Sequence, residues 1–272
     1  MNDLIRETVS YPALFAKLLR QRRVVEPQKM SFGDDPAQYF LDFVPVGPPR
    51  ETVIVYIHGG GWNKYSPAFF SWIGQRFALE GYRCVLPGYR LAPKHRFPAQ
   101  IEDVRAGTAA ALAYLEAYGV NVERTVVVGS SAGAHLGALL CYDREFAGRF
   151  AGFAGLGGPY RFDLEPTWAM RQLCGGLLGD GDPLAAQPYY KLTEGGRSTP
   201  MLIVQGLRDG VVGYTCGADF YRKAVELGIP ARFYAPPVGK DSHSLYVAGC
   251  FLEKREECET LDVLFSWLEE VR

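Results

Sequence analysis

The sequence predicts one sizeable α/β domain, and three observations carry that prediction. Strand-like and helix-like stretches alternate along 272 residues with no linker between them. Hydrophobic residues make up 48% of the chain, enough to bury a large core. The run Val126-Val127-Val128-Gly129-Ser130-Ser131-Ala132-Gly133-Ala134-His135-Leu136 passes from β-branched residues through small ones into a helical pattern, which is how a strand, a sharp turn and a helix read.

That turn carries a G-x-S-x-G frame. Gly129 and Gly133 leave room for a tight bend that projects Ser131 above the sheet edge, while Ser130 falls out of frame. Ser131 is the nucleophile candidate, because the helix that follows it aims free backbone N–H groups at the same spot. A Gly/Ser-rich turn after a strand is also a common loop, so the motif gains its weight from the rest of the chain.

In chain order, Leu4, Ile5, Ala13, Leu14, Phe15, Leu18 and Leu19 fall among charges in a helical pattern, and Pro12 is expected to end one short helix and open another. This segment reads either as a cover for the site or as a plain surface helix. Tyr39 to Val44 alternates as a strand, and Thr52-Val53-Ile54-Val55-Tyr56-Ile57 is a nearly all-apolar strand of the doubly buried kind. It runs into His58-Gly59-Gly60-Gly61-Trp62, whose glycines expose backbone N–H groups that no side chain shields. Such donors stabilise the oxyanion formed when a carbonyl is attacked, each worth about 3 to 4 kcal/mol. Gly60, Gly61 and Ala132 are the expected donors, with Gly59 as a further candidate. His58 reads as a loop-holding residue rather than a base.

Further on, Phe150 to Leu156 reads as a small-residue strand, and residues 159–197 as an irregular insertion carrying Trp168, Met170, Tyr189 and Tyr190. Trp62 and Trp168 are the expected pocket walls. Pro200 to Gly206 is the next buried strand, and Asp209 lies just beyond its carboxyl end, where open α/β sheets place their sites. After a helix near residues 216–228 and a strand at Ala231 to Tyr234, a loop presents His243 as the base. The order Ser131, Asp209, His243 is nucleophile, acid, base, with Asp241 as the rival acid and His135 as a packed core residue.

The motifs His58-Gly59-Gly60-Gly61, Tyr89-Arg90-Leu91-Ala92-Pro93, Phe97-Pro98-Ala99 and Glu102-Asp103 resemble the hormone-sensitive-lipase-like branch of the α/β-hydrolase superfamily. The chain departs from that branch in having Gly129-Ser130-Ser131-Ala132-Gly133-Ala134 where G-D-S-A-G-G is usual, and in a shortened N-terminal cap. Trp62 and the start of the elbow helix are similar also to kynurenine-formamidase-like arylformamidases. The resemblance implies an α/β-hydrolase fold with a mostly parallel sheet of about eight strands, one domain over residues 1–272, and residues 1–25 and 159–197 as small cap elements. It implies a serine hydrolase acting on a small acyl ester, with an arylformamide hydrolase and a catalytically silent binding protein as the alternatives. Arg90 and Asp103 then read as a structural charge pair.

No cofactor or metal is expected. The 29 basic and 30 acidic residues give a formal net charge of −1, no field for gathering nucleic acid. No apolar run approaches the roughly 18 residues of a membrane span, and the first residues lack the pattern of a secretory signal. The six cysteines show no metal-ligand spacing and read mostly as buried small hydrophobes. A cytoplasmic setting is the expectation, and the oligomeric state is not readable. With so short a cap, the best acyl group is expected to carry about two to four carbons, since each buried methylene contributes only about 0.8 kcal/mol.

Overall fold

In the parallel part of the sheet, buried strands supply side chains to both faces, so each strand must be apolar throughout. The computed structural model describes residues 3–143, 148–163, 166–193 and 199–271. It contains one eight-stranded sheet. The strands are β1 (Gln28–Ser31), β2 (Tyr39–Phe43), β3 (Val53–Ile57), β4 (Arg83–Pro87), β5 (Thr125–Ser130), β6 (Gly152–Leu156), β7 (Met201–Val204) and β8 (Ala231–Tyr234). Their spatial order is β1-β2-β4-β3-β5-β6-β7-β8. β1 and β2 pair antiparallel at one edge, and all pairings from β4 to β8 are parallel.

Alternate residues feed two cores. Val53, Val55, Val127, Phe153 and Ile203 face helices α3 (Ala99–Ala117), α4 (Ala132–Tyr142) and α6 (Tyr214–Glu226). Ile54, Tyr56, Val126, Val128 and Leu202 face α2 (Ser71–Leu79) and α8 (Glu259–Glu270). The period of two in the sequence is thus divided between two helical layers. α5 (Trp168–Leu178) lies in the insertion and α7 (His243–Val247) is a short helix following β8.

The first helix corrects the sequence reading. α1 (Asp3–Arg20) runs straight through Pro12 instead of splitting there. Glu7 and Leu14 are both buried, so the helix is anchored on either side of the proline. β1 escaped the sequence reading because it is a four-residue edge strand with mostly exposed side chains. Of the expected cap segments, residues 1–2, 164–165 and 194–197 lie outside the described residues, as do the side chains of Leu4, Ile5 and Ala13. No helix among the described residues is long and apolar enough to cross a membrane. All six cysteines are unpaired.

The β5–α4 turn packs directly on the backbone of the neighbouring strand. A Cβ on Gly133 would stand 2.0 Å from the carbonyl oxygen of Ile57, on the neighbouring strand β3. Gly133→Ala is therefore expected to destabilise the fold by about 3 kcal/mol or more, since the clash is with backbone that cannot rotate away. Gly175→Ala, in α5 with open space around it, is expected to be neutral or to stabilise by up to about 1 kcal/mol. Urea unfolding midpoints of the two variants check the contrast.

Candidate active site

Ser131 is the residue between β5 and α4, and its backbone takes φ 54° and ψ −121°. A side chain rarely adopts this conformation, and the surroundings hold it there. The Ser131 N–H donates to the Leu156 carbonyl at 2.7 Å, at the end of β6. The first intrahelical bond of α4 is His135 N–H to Ser131 O, at 3.1 Å. The N–H groups of Ala132, Gly133 and Ala134 precede it, in the first turn where no helical acceptor exists.

The loop after β3 packs on this turn. Gly59 approaches so closely that a Cβ there would stand 2.8 Å from Ser130 O and 3.3 Å from Ser131 Cβ. Gly60 adopts φ 119°, and a Cβ there would strike the Lys64 carbonyl at 2.4 Å. Gly59, Gly60 and Ser131 share the wall of one cavity, while the open side of Gly61 faces Leu173 of α5. His58 is buried, with Nδ1 at 2.8 Å from the Gly59 carbonyl and its ring stacked on Tyr89 at 4.3 Å between centroids. Burial pushes its pKa down to about 4, which keeps it neutral.

His243 opens α7, and Asp209 stands in the loop after β7. His243 Nε2 lies 2.9 Å from Ser131 Oγ, and Nδ1 lies 2.7 Å from Asp209 Oδ2. A carboxylate only accepts, so Nδ1–H donates to Asp209 and Nε2 is left to accept from the serine hydroxyl. Asp209 is itself fixed at both oxygens. Oδ1 accepts from the N–H groups of Val211 and Val212, each at 2.8 Å. Oδ2 also accepts from the Tyr246 hydroxyl and, at 3.3 Å, from Gln205 Nε2. Burial, then the Asp209 carboxylate, push the Tyr246 phenol well above its ordinary range, so it stays a donor.

Burial alone would lower the pKa of His243. The negative charge of Asp209, its hydrogen bond and the more distant Glu7 carboxylate outweigh burial, and the net shift is upward. Asp241 is buried elsewhere in its own loop, where Oδ1 accepts from the Gly239 N–H at 3.0 Å, an arrangement of the kind aspartates make in turns. Arg90 and Asp103 form a two-point ion pair, Nε to Oδ2 at 2.8 Å and Nη2 to Oδ1 at 2.9 Å.

An apolar cavity of about 130 Å³ opens beside Ser131 and His243. Tyr11, Leu14, Phe15 and Leu18 of α1 form one wall, and Phe69 and Phe70 face them. The two tryptophans expected as walls lie elsewhere. Trp62 is 1% exposed, packed edge-on against His135, and its indole N–H donates to His135 Nδ1 at 3.2 Å. Trp168 is 64% exposed at the start of α5. His135 is the core residue the sequence suggested, with Nε2 at 2.6 Å from the Ala186 carbonyl and a pKa pushed down by burial to about 4.

Glu7 was missed altogether. Its side chain reaches from α1 into the acid and base loops, where Oε1 accepts from the His243 N–H at 2.5 Å and the Gly210 N–H at 3.3 Å. Oε2 accepts from the Ser244 N–H at 3.3 Å. Nothing in a helical run of mixed charge distinguishes such a glutamate from a solvated one. Leu14, Phe15 and Leu18 did carry a signal, the helical spacing that suggested a cover for the site; Tyr11 was not part of that pattern.

Residues 45–156 match the BD-FAE family model. The chain is 38% identical over 127 residues to esterase LipC of Mycobacterium tuberculosis, a match covering 44% of this chain and 31% of the relative. It is 41% identical over 111 residues to mouse arylacetamide deacetylase, covering 36% and 28%. The chain thus spans less than a third of the length of these curated relatives. Among solved structures, the carboxylesterase EstE1 from a metagenomic library superposes with a TM-score of 0.80 at 18% identity, over 100% of this chain and 98% of that one. Esterase B of Lactobacillus rhamnosis superposes with a TM-score of 0.80 at 18% identity, over 99% and 95%. These likenesses establish the fold.

The environment of His243 makes a prediction of its own. Its imidazole is expected to titrate above the roughly 6.5 of a free histidine. Asp209→Asn removes the charge that outweighs burial and is expected to bring the midpoint down. Histidine ring resonances followed by NMR across pH check both; a midpoint that Asp209→Asn leaves in place contradicts the assignment.

Proposed function

We propose that this chain, which has the α/β-hydrolase fold, is related to the hormone-sensitive-lipase-like esterases and cleaves carboxylic esters through an acyl-enzyme at Ser131. The observation that carries this reading is the continuous hydrogen-bonded line from Ser131 Oγ through His243 to Asp209, at 2.9 and 2.7 Å. His243 Nε2 takes the hydroxyl proton as Ser131 Oγ attacks the ester carbonyl carbon. The carbonyl oxygen becomes anionic, and the N–H groups of Gly60, Gly61 and Ala132 are assigned to hold it. His243 then returns the proton to the alkoxide that leaves, and the same steps with water release the acid.

Asp209 keeps Nδ1 protonated and Nε2 free, and stabilises the imidazolium. Asp209→Asn is expected to lower kcat by about 10⁴, the scale of losing tautomer control, and Asp241→Asn to be mild. Because His243 must be neutral to accept a proton, kcat/KM is expected to rise with pH through a midpoint above about 6.5. The name of LipC, an esterase, supports ester cleavage over arylformamide hydrolysis and over a silent binding protein. A cytoplasmic setting, a single domain over residues 1–272 and α1 as a small cap complete the reading.

The size of the cavity sets the acyl group. At about 130 Å³ it is close to the ~150 Å³ cavity that admits a benzene ring, so its apolar walls take about four to six carbons. This moves the optimum upward from the two to four carbons expected from the short cap, because α1 supplies an apolar wall. With p-nitrophenyl esters, kcat/KM is expected to rise to butyrate or hexanoate and to fall by octanoate, with N-formylkynurenine inert; a steady climb to laurate contradicts the reading. Ser131→Ala is expected to remove turnover by on the order of 10⁶. Ser130→Ala loses a buried hydrogen bond to the Val247 carbonyl, about 1 to 3 kcal/mol of stability, and is expected to keep most activity. Comparable activity in the two variants refutes the assignment of the nucleophile.

A further inference from the structure

The acid and the base sit on different loops. Asp209 follows β7 and His243 follows β8; the first loop is irregular until α6 begins and the second until α7 begins. Their mutual placement decides whether the imidazole is held at both nitrogens at once. A third element joins them. The Glu7 carboxylate, 2% exposed, accepts from the N–H of Gly210, the residue after Asp209, and from the N–H groups of His243 and Ser244.

We infer that Glu7 is a positioning residue for the esterase reaction, a buried carboxylate on α1 that ties the acid loop to the base loop and fixes the backbone of His243. This rests on the esterase reading above. The two amides at the start of α7 have no intrahelical acceptor, and a carboxylate with two oxygens satisfies both while reaching Gly210 as well. No neutral side chain of this length offers two acceptor oxygens in one plane. Burying such a carboxylate is costly unless it is well hydrogen-bonded; burial and the nearby Asp209 charge raise its pKa, while the His243 imidazole and the N–H groups of His243 and Ser244 work against that rise.

The titratable groups that face Glu7 are His243 and Asp209 on the loops, Tyr11 one turn along α1, and Tyr246 in α7. Of these, His243 is the group whose protonated form the negative charge of Glu7 favours. Glu7 does not line the cavity, whereas Tyr11 and Leu14, one and two turns further on, do. The helix that walls the acyl cavity is therefore also the helix that holds the base.

The test compares wild type, Glu7→Gln and Glu7→Asp with p-nitrophenyl butyrate, counting sites by stoichiometric labelling with a fluorophosphonate so that kcat is expressed per reactive site. Glu7→Gln is expected to lower kcat by on the order of 10- to 100-fold, the scale of a small misplacement of a reacting group, with KM within about twofold. Its kcat/KM profile is expected to move to lower pH, since the charge favouring imidazolium is gone. Glu7→Asp keeps the charge and shortens the reach by one methylene, so its kcat falls while its pH profile moves less. A role confined to folding would lower the number of reactive sites and the melting temperature without moving the pH profile. Wild-type kcat per site in both variants, or a loss accounted for wholly by fewer sites, overturns the inference. Absence of wild-type turnover on every ester tested would instead remove the esterase reading.

Discussion

Ser131 is held at φ 54°, ψ −121° by contacts that leave its neighbours no alternative. A conformation of this kind costs a non-glycine residue on the order of 1 to 3 kcal/mol, and it persists because the surroundings over-determine it. Gly129 and Gly133 lie within 2.4 Å and 2.0 Å of backbone oxygens when given a Cβ, so the strand and helix on either side can approach only if both are glycine. The Ser131 N–H is bound to β6, and every residue of α4 is buried. The chain therefore turns within one residue, and Oγ stands clear of the helix it precedes. The loop of Gly59 and Gly60 packs on this turn, and His243 meets it from above the far strands.

Electrostatics then separate histidines that share one chemistry. His58 and His135 are buried among apolar and aromatic groups, and burial drives each down to about 4. His243 is just as buried, yet its pKa moves up because two carboxylates stand beside it. The same side chain is a neutral packing element in two places and, in a third, an imidazole whose protonated form the neighbouring carboxylates favour. Asp209 earns its influence through orientation: two backbone N–H groups fix one oxygen and leave the other to the imidazole and the Tyr246 hydroxyl.

Much of this was legible in the sequence because it is local. The G-x-S-x-G frame, the glycines after a buried strand and the placement of Asp209 past β7 each follow from residue type and neighbours. The core role of His135 was legible on the same grounds, and the Arg90–Asp103 pair through the resemblance of the surrounding motifs to a known family. What escaped depends on direction and distance. Trp62 stands beside the glycine loop, but whether its ring faces the cavity or the core is settled by its φ of 60° and by the His135 nitrogen it meets. Trp168 was placed by composition alone, and nothing packs it inward. Glu7 contacts residues more than 200 positions away, and its helix shows no sign of the loops it will meet. Pro12 misled because a proline's local cost is weighed against buried anchors on both sides that only the fold supplies.

The central claim is that one hydroxyl, Ser131 Oγ, is made nucleophilic by its place in this turn. Incubation with a fluorophosphonate, followed by mass spectrometry of the peptide spanning Thr125 to Tyr142, tests it most directly. The account predicts one phosphonyl group per chain, on Ser131, formed faster as His243 loses its proton and absent in Ser131→Ala. Labelling on Ser130, or equal labelling in Ser131→Ala, would contradict it.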